Sequence, residues 1–441
     1  MTGAAQRSAV SLDVNPLDLM RASFDAAVAA ADPLRVVPAQ LPQRPPGRVV
    51  VVGAGKAAAS MALAVERAWP DVALEGVVIT RYAHGAPTER IRVVEAGHPV
   101  PDDAGERAAC DIMQLVSRLQ RDDLLLALIS GGGSSLLSLP VPQVSMSSLK
   151  SVTRMLLASG APIGEMNILR KHLSQIAGGW LAAGAARRGA RVLALMISDV
   201  TGDAPTDIAS GPCAPDPSTY ADALGVLSRW NVEAPDDVSA WLLRGASGQV
   251  DETPKPGDAL FERVENRVIA TAHRSLEAAA DVFRSAGVDA VLLGDTVTGE
   301  AREVAKVYAA LVREIRTCNN PFKPPVALIS GGECTVTLPS GTTGRGGRCT
   351  EFLLSLAVEL EGMPDVYAVA CDTDGIDGSE DNAGAWLAPR SIEDAATAGV
   401  LARSALDQHD SYGFFRAADS LIRTGPTLTN VNDYRVILID R

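Results

Sequence analysis

The sequence predicts an α/β protein: two α/β domains, each with a largely parallel, helix-covered sheet, flanking an interdomain cleft. Three observations lead there. Short apolar runs that end in glycine, such as Leu125–Ser130 before Gly131, mark strands buried on both faces of a parallel sheet. Such runs alternate with helical periodicity along the chain, which implies right-handed crossovers and helices on both faces. The hexapeptide Ala-Leu-Ile-Ser-Gly-Gly occurs at 127–132 and again at 327–332, once in each half.

Residues 1–15 read as a flexible tail. Asn15 followed by Pro16 is a helix start, a capping side chain and then proline in the first turn, so a helix is expected over 16–31. Residues 38–47 form a Pro-rich connector. A strand over 48–53 then turns on glycines into a helix over 56–68, followed by strands at 76–80 and 91–95. A helix over 103–119 leads into the strand before Gly131. Helices are expected over 145–160 and 165–188, and the strand at 191–198 ends in an acidic loop. Residues 245–258 lack periodicity and are rich in Gly, Pro and charge, which places a boundary there. The first domain is therefore 16–245, the linker 246–258 and the second domain 259–441. In the second half, strands are expected at 267–271, 288–293, 326–330, 365–371 and 434–440. Helices are expected over 273–286, 299–317 and 348–362, with a hairpin over 333–348.

Hydrophobic residues make up 47% of the 441, and aromatics only 4%, so alanine, valine and leucine must fill the cores. A net charge of −13 argues against nucleic acid or an anionic membrane surface as a partner. The six cysteines are scattered without a CxxC pair, which gives no disulfide framework or zinc site. No stretch is long and apolar enough for a membrane span, and the N-terminus lacks a signal-type apolar core, so a cytoplasmic protein is expected.

Several stretches carry chemistry. Gly53-Ala54-Gly55-Lys56-Ala57-Ala58 fits the dinucleotide pattern G-x-G-x-x-A between strand and helix. A ribose-holding acid is wanted after the next strand, but Thr80-Arg81 stands there and would at best suit a 2′-phosphate. A cation such as Lys56 at a helix start disfavours the helix unless it meets an anion; the competing reading is a solvated lysine. Gly131, Gly132 and Gly133, followed by Ser134 and Ser135, form a candidate anion nest or a plain structural turn. No Lys-Ser/Thr follows, so this is no Walker loop. Gly331, Gly332 and Glu333 repeat the arrangement. Asp199, Asp203 and Asp207 cluster in one strand-end loop, and Asp372, Asp374, Asp377, Glu380 and Asp381 in another. Magnesium would relieve their repulsion, whereas helix caps and solvated turns would also explain them. An EF-hand is excluded by Ile376 and Ala383 at ligand positions. Arg345 and Arg348 lie on glycine-rich backbone before a helix, suited to carboxylate or phosphate, or else to an exposed hairpin tip. Asn167, Arg170, Lys171 and Ser174 recur at helical spacing and share a face, toward either solvent or a site.

Taken together, VGAGKAAASMA, GHPVPDDAG, ISGGGSSLL, MNILRKHLSQIAGG, ISDVTGDAPTDIASGP, ISGGECTVTL, DTDGIDG and PTLTNVNDYRVILI make the chain resemble the glycerate 2-kinases over about residues 16–440. The C-terminal part of that family is called the MOFRL domain, and some members are labelled hydroxypyruvate reductase. The resemblance implies a Rossmann-like kinase domain followed by a MOFRL-type domain. It implies ATP-dependent phosphorylation of the 2-hydroxyl of D-glycerate to 2-phosphoglycerate, with ATP and Mg2+, and a homodimer. It ties Lys56 and Arg348 to catalysis. With Asp199 as the third catalytic candidate, the expected metal ligands are Asp203, Asp372, Asp374 and Asp377. The expected substrate and phosphate contacts are Gly55, Gly131–Ser135, Asn167, Arg170, Lys171, Gly331, Gly332, Glu333 and Arg345. The chain departs from the family pattern where Cys349-Thr350 replace two amides, Ala177 a lysine and Trp180 an arginine, which opens the question of which hydroxy acid is used. The alternative activity is NAD(P)H-dependent hydroxypyruvate reduction; a non-catalytic sugar-acid sensor is the third reading.

Overall fold

The computed structural model describes residues 14–43, 45, 47–339 and 341–440, so all but the end of the predicted tail lies outside the described residues. The chain forms two compact units. Residues 32–271 and 428–430 make up the first; residues up to Ala31, 272–427 and 431–441 make up the second.

The first unit is built on β1 (Val49–Ala54), β2 (Leu74–Arg81), β3 (Ile91–Ala96), β4 (Leu124–Ser130), β5 (Arg191–Ile197) and β6 (Val264–Ala270), in the order β3-β2-β1-β4-β5-β6. Every pairing is parallel. The wholly apolar runs of β1 and β4 lie at the centre, buried at every position, as a sheet covered on both faces requires. β1 and β4 are hydrogen-bonded neighbours, yet the chain runs outward from β1 through β2 to β3 and outward from β4 through β5 to β6. Their carboxyl ends therefore mark the switch point, where connections diverge to opposite sides and a crevice opens.

The second sheet contains β7 (Asp289–Leu292), β9 (Val326–Ser330), β11 (Val366–Asp372), β12 (Gly384–Leu387), β13 (Leu421–Ile422) and β14 (Asp433–Ile439), ordered β13-β12-β11-β14-β9-β7. The α/β class holds in both units, but here only β7–β9 is parallel; the other pairings are antiparallel. The apolar runs of β9 and β14 report burial on both faces, which is independent of strand direction. The expected hairpin after β9 is also absent. Instead, β10 (Gly332–Thr335) pairs in parallel with β8 (Val297–Glu300) as a separate two-stranded sheet.

Helix Pro16–Ala30 packs in the second unit, burying Met20 and Phe24 beside Phe283 and Tyr434. The 246–258 stretch, read as a linker, belongs to the first unit, where Thr253 donates to buried Asp216 at 3.0 Å. β6, read as the start of the second domain, closes the first sheet. The predicted 165–188 helix is two, Ile163–His172 and Trp180–Ala186, because Gly178 and Gly179 adopt φ of 60° and 88° between them.

Candidate functional site

At the carboxyl ends of β1 and β4 two glycine loops are stitched together. Lys56 N donates to Gly131 O at 2.8 Å, and Ala57 N donates to Ser130 Oγ at 3.0 Å. Gly55, at φ 133°, lies so close to Ser130 that a Cβ would fall 2.2 Å from its Oγ. A Cβ on Gly132 would meet His98 Nε2 at 2.9 Å and Lys56 Cγ at 3.5 Å, so the lysine stem and the imidazole both lie against this loop. On Gly131 it would meet Asp199 Oδ2 at 1.9 Å. Asn430 Nδ2 donates to that same carboxylate oxygen at 3.0 Å. The loop thus presents backbone N–H groups from Gly132 to Ser134 between a lysine and an imidazole, with an aspartate beneath. That combination suits an anionic group held by main-chain donors.

Polar contacts continue from this loop. Ser134 Oγ lies 2.9 Å from Ser210 Oγ, Ser210 donates to Asn167 Oδ1 at 3.1 Å, and Arg170 Nη1 donates to the same oxygen at 3.4 Å. Asn167 and Arg170 therefore belong to the region of the nest. Lys171 does not: its side chain is buried and reaches Thr206 Oγ1 at 2.9 Å and Asp216 Oδ1 at 3.4 Å. Asp203 sits at φ 53° in the loop after β5.

In the second unit Arg348 is fully engaged. Its Nε donates to Asp433 at 2.7 Å, Nη1 to Glu333 at 2.8 Å and Nη2 to Asp372 at 2.8 Å. Burial works against the charge, but the three carboxylates outweigh it and hold the guanidinium protonated well above its ordinary range. Asp433 also accepts from buried Arg435, whose Nη1 donates to Gly331 O at 3.0 Å. Gly332, at φ 103°, allows β8 to approach, since a Cβ there would fall 2.2 Å from Val297 O. The echoed glycines thus serve packing in this unit. Arg345 stacks over Tyr412 at 4.8 Å and pairs with Glu380 at 3.5 Å.

Asp377, expected as a metal ligand, caps the helix Arg348–Leu360. Cys349 N donates to its Oδ1 at 3.0 Å; Thr350 N and Oγ1 donate to its Oδ2 at 2.9 and 2.7 Å. Burial pushes its carboxyl up in spite of these donors. Asp374 accepts from Ile376 N at 2.9 Å, an Asx turn. Among the described residues no group of three or more His, Cys, Asp or Glu side chains is gathered to hold a metal ion. Arg348 and Arg435 supply the positive charge within the second unit's acidic edge, so these acids do not fit a resident magnesium.

Residues 19–243 match the profile of a domain of unknown function (DUF4147), and residues 326–433 match the MOFRL family. A putative hydroxypyruvate reductase of Agrobacterium vitis is 50% identical, covering 97% of this chain and 95% of its own. D-glycerate 2-kinase of Thermotoga maritima is 38% identical, covering 93% of this chain and 95% of its own. The crystal structure of glycerate kinase from Thermotoga maritima superposes with a TM-score of 0.83 at 36% identity, over 96% of this chain and 100% of that one. The chain belongs to the glycerate kinase family. It is an enzyme, a kinase.

In this member of the glycerate kinase family, the departures at Cys349 and Thr350 lie inside the fold. Both side chains are buried at the helix start, and Thr350 is tied to Asp377 and Ser411. They alter a helix cap. Trp180 stacks under Arg187 at 5.2 Å. Sequence reasoning missed His98, Ser130, Ser210 and Asn430. GHPVPDDAG and TNVND stood out as family marks, but no spacing rule brings Asn430 to Asp199 across 231 positions.

Proposed function

We propose that the protein transfers the terminal phosphoryl group of ATP to the 2-hydroxyl of D-glycerate or a close hydroxy acid, giving the 2-phospho product. The observation that carries this reading is the Gly131–Ser135 loop at the switch point with Lys56 beside it. Phosphoryl transfer requires mainly positioning and charge neutralisation. The N–H groups of the loop hold the phosphoryl oxygens, and Lys56 balances charge that grows as the group moves. The acceptor hydroxyl oxygen attacks phosphorus, the bond to the β-phosphate oxygen breaks, and the hydroxyl proton passes to Asp199, whose orientation Asn430 fixes. Magnesium brought by the nucleotide would supply counter-charge to its phosphates. Arg348 contributes by ordering Asp372 and Glu333 in the second unit. Six free cysteines, two of them exposed, suit a reducing, cytoplasmic setting, and no helix among the described residues is long and apolar enough to cross a membrane.

The reductase reading is favoured by the name of the Agrobacterium vitis relative and by the G-x-G-x-x-A turn after β1. β2 ends in Arg81, where an acid would hold the ribose of NADH, so the turn favours a reductase only with NADPH, whose 2′-phosphate an arginine suits. One experiment separates the two. The purified chain is offered D-glycerate with MgATP while ADP is followed, and hydroxypyruvate with NADH or NADPH while nicotinamide absorbance is followed. ADP release without nicotinamide oxidation is expected; the reverse result replaces the kinase with the reductase.

A further inference from the structure

Beside the glycine loop, within the first unit, lies a cavity of about 270 Å³. Its walls are of three kinds, one of them the hydroxyls of Ser134, Ser135, Ser138, Thr153, Ser174 and Ser210 along the loop side. Leu137, Leu139, Leu149 and Leu157 supply an apolar side, with Ala177 among them. Lys150, Arg154 and Arg170 supply three cations, and no aspartate or glutamate lines it. None of the three cations is paired with a carboxylate among the described residues, in a chain whose net charge is −13. Arg170 is the most enclosed: burial alone pushes its pKa down, and its Nη1 donates to Asn167 Oδ1 at 3.4 Å. A half-buried guanidinium facing a cavity without an acid suits an anion. Ser134 and Ser135 stand where the cavity meets the loop, so a bound acid has its hydroxyl beside the phosphoryl site. At the mouth, Val100 and Leu157 are 59% and 61% exposed, apolar surface that water covers poorly.

Glycerate has an oxygen on every carbon and nothing to place on a leucine wall. The geometry points to an acceptor of different shape: a 2-hydroxy acid whose carboxylate pairs with Arg170 and whose remaining skeleton is a branched hydrocarbon lying against the leucines. This inference rests on the kinase reading for the fate of the hydroxyl, but the pocket's preference is a matter of binding alone. The cavity is at the small end for ligand sites, suited to such an acid and too small for a whole nucleotide.

Titration calorimetry on the full chain tests it, with D-glycerate, 2-hydroxybutanoate, 2-hydroxy-4-methylpentanoate and ATP as probes. The dissociation constant is expected to fall along the acid series by at least tenfold overall, the order of discrimination that added methylenes earn in an apolar pocket. Arg170→Gln should lose all three acids, and Leu157→Ser, at the exposed rim, should weaken the branched acid more than glycerate. Thermal unfolding of both variants checks that they fold. Glycerate binding as tightly as the branched acid overturns the inference. So does unchanged affinity for the branched acid in Arg170→Gln, or competitive displacement of that acid by ATP alone. ADP release measured in parallel keeps the readings apart. Turnover of glycerate without the binding series removes the pocket inference and leaves the kinase. The binding series without turnover of any acid removes the kinase and leaves the pocket.

Discussion

Lys56 and Arg348 were paired by resemblance, but their surroundings give them different work. Lys56 follows a glycine at φ 133°, and its stem lies against the Gly132 loop. On the proposed mechanism Lys56→Ala removes the charge that balances the moving phosphoryl group, so turnover is expected to fall by about 10²–10³-fold, the usual loss for one such group. The melting temperature should move little, since the side chain is only half-buried; steady-state kinetics and calorimetric melting check both halves. Each of Arg348's three guanidinium nitrogens donates to a carboxylate, of Asp433, Glu333 and Asp372. Arg348→Ala leaves these carboxylates facing one another, a loss of about 3–5 kcal/mol by analogy with other broken buried pairs. Arg348→Lys, a point charge in place of a fork, should recover only part of it. Urea unfolding measures the losses. A variant as stable as the parent but inactive would return Arg348 to a purely catalytic role. The resemblance singled out both residues, but it could not supply the partners of Arg348, because Asp433 and Glu333 reach it from 85 and 15 positions away.

Among the elements, the apolar runs that announced β1, β4 and β5 were readable because strands buried on both faces leave no room for polar residues. Direction and partner were not readable: β9 carries the same hexapeptide as β4 yet pairs antiparallel with β14. One side chain shows how elements are joined beyond such patterns. Glu66, near the end of helix Ala58–Ala68, accepts from Glu89 N at 2.9 Å, Arg90 N at 2.6 Å and Ile91 N at 2.7 Å, pinning the start of β3. Burial alone would raise its pKa, but the three N–H donors outweigh it and hold the carboxyl below its ordinary 4.5. A depressed folded pKa means stability that is present above 4.5 and lost as pH falls through the lower, folded value. Glu66→Gln should therefore be less stable than the parent at pH 7, with the gap closing below pH 4.5. Urea unfolding at pH 7 and pH 3 decides it; a gap that stays constant means the charge is irrelevant.

On the scale of the whole molecule, chain order and spatial grouping disagree. Helix Pro16–Ala30 precedes the first sheet in sequence but buries its apolar face in the second unit. Its periodicity announced an amphipathic helix; nothing local announced the partner, since Ser23 hydrogen-bonds Tyr434 from 411 positions away. The second unit depends on this return. Leu19, Met20 and Phe24 are buried there, and each such side chain contributes about 1.5–3 kcal/mol. Three of them together approach the roughly 5–15 kcal/mol that separates a folded domain from its unfolded chain. A fragment of residues 272–441 is therefore expected to remain without a cooperative melting transition. The first sheet takes all six strands from 49–270, so residues 32–271 should melt cooperatively when expressed alone. Adding a peptide of residues 14–31 to the 272–441 fragment should restore its transition, with a midpoint that rises with peptide concentration as mass action requires. Circular dichroism melts of the two fragments, with and without peptide, read this directly. A 272–441 fragment that melts cooperatively by itself would show that the helix is an addition to a core already complete.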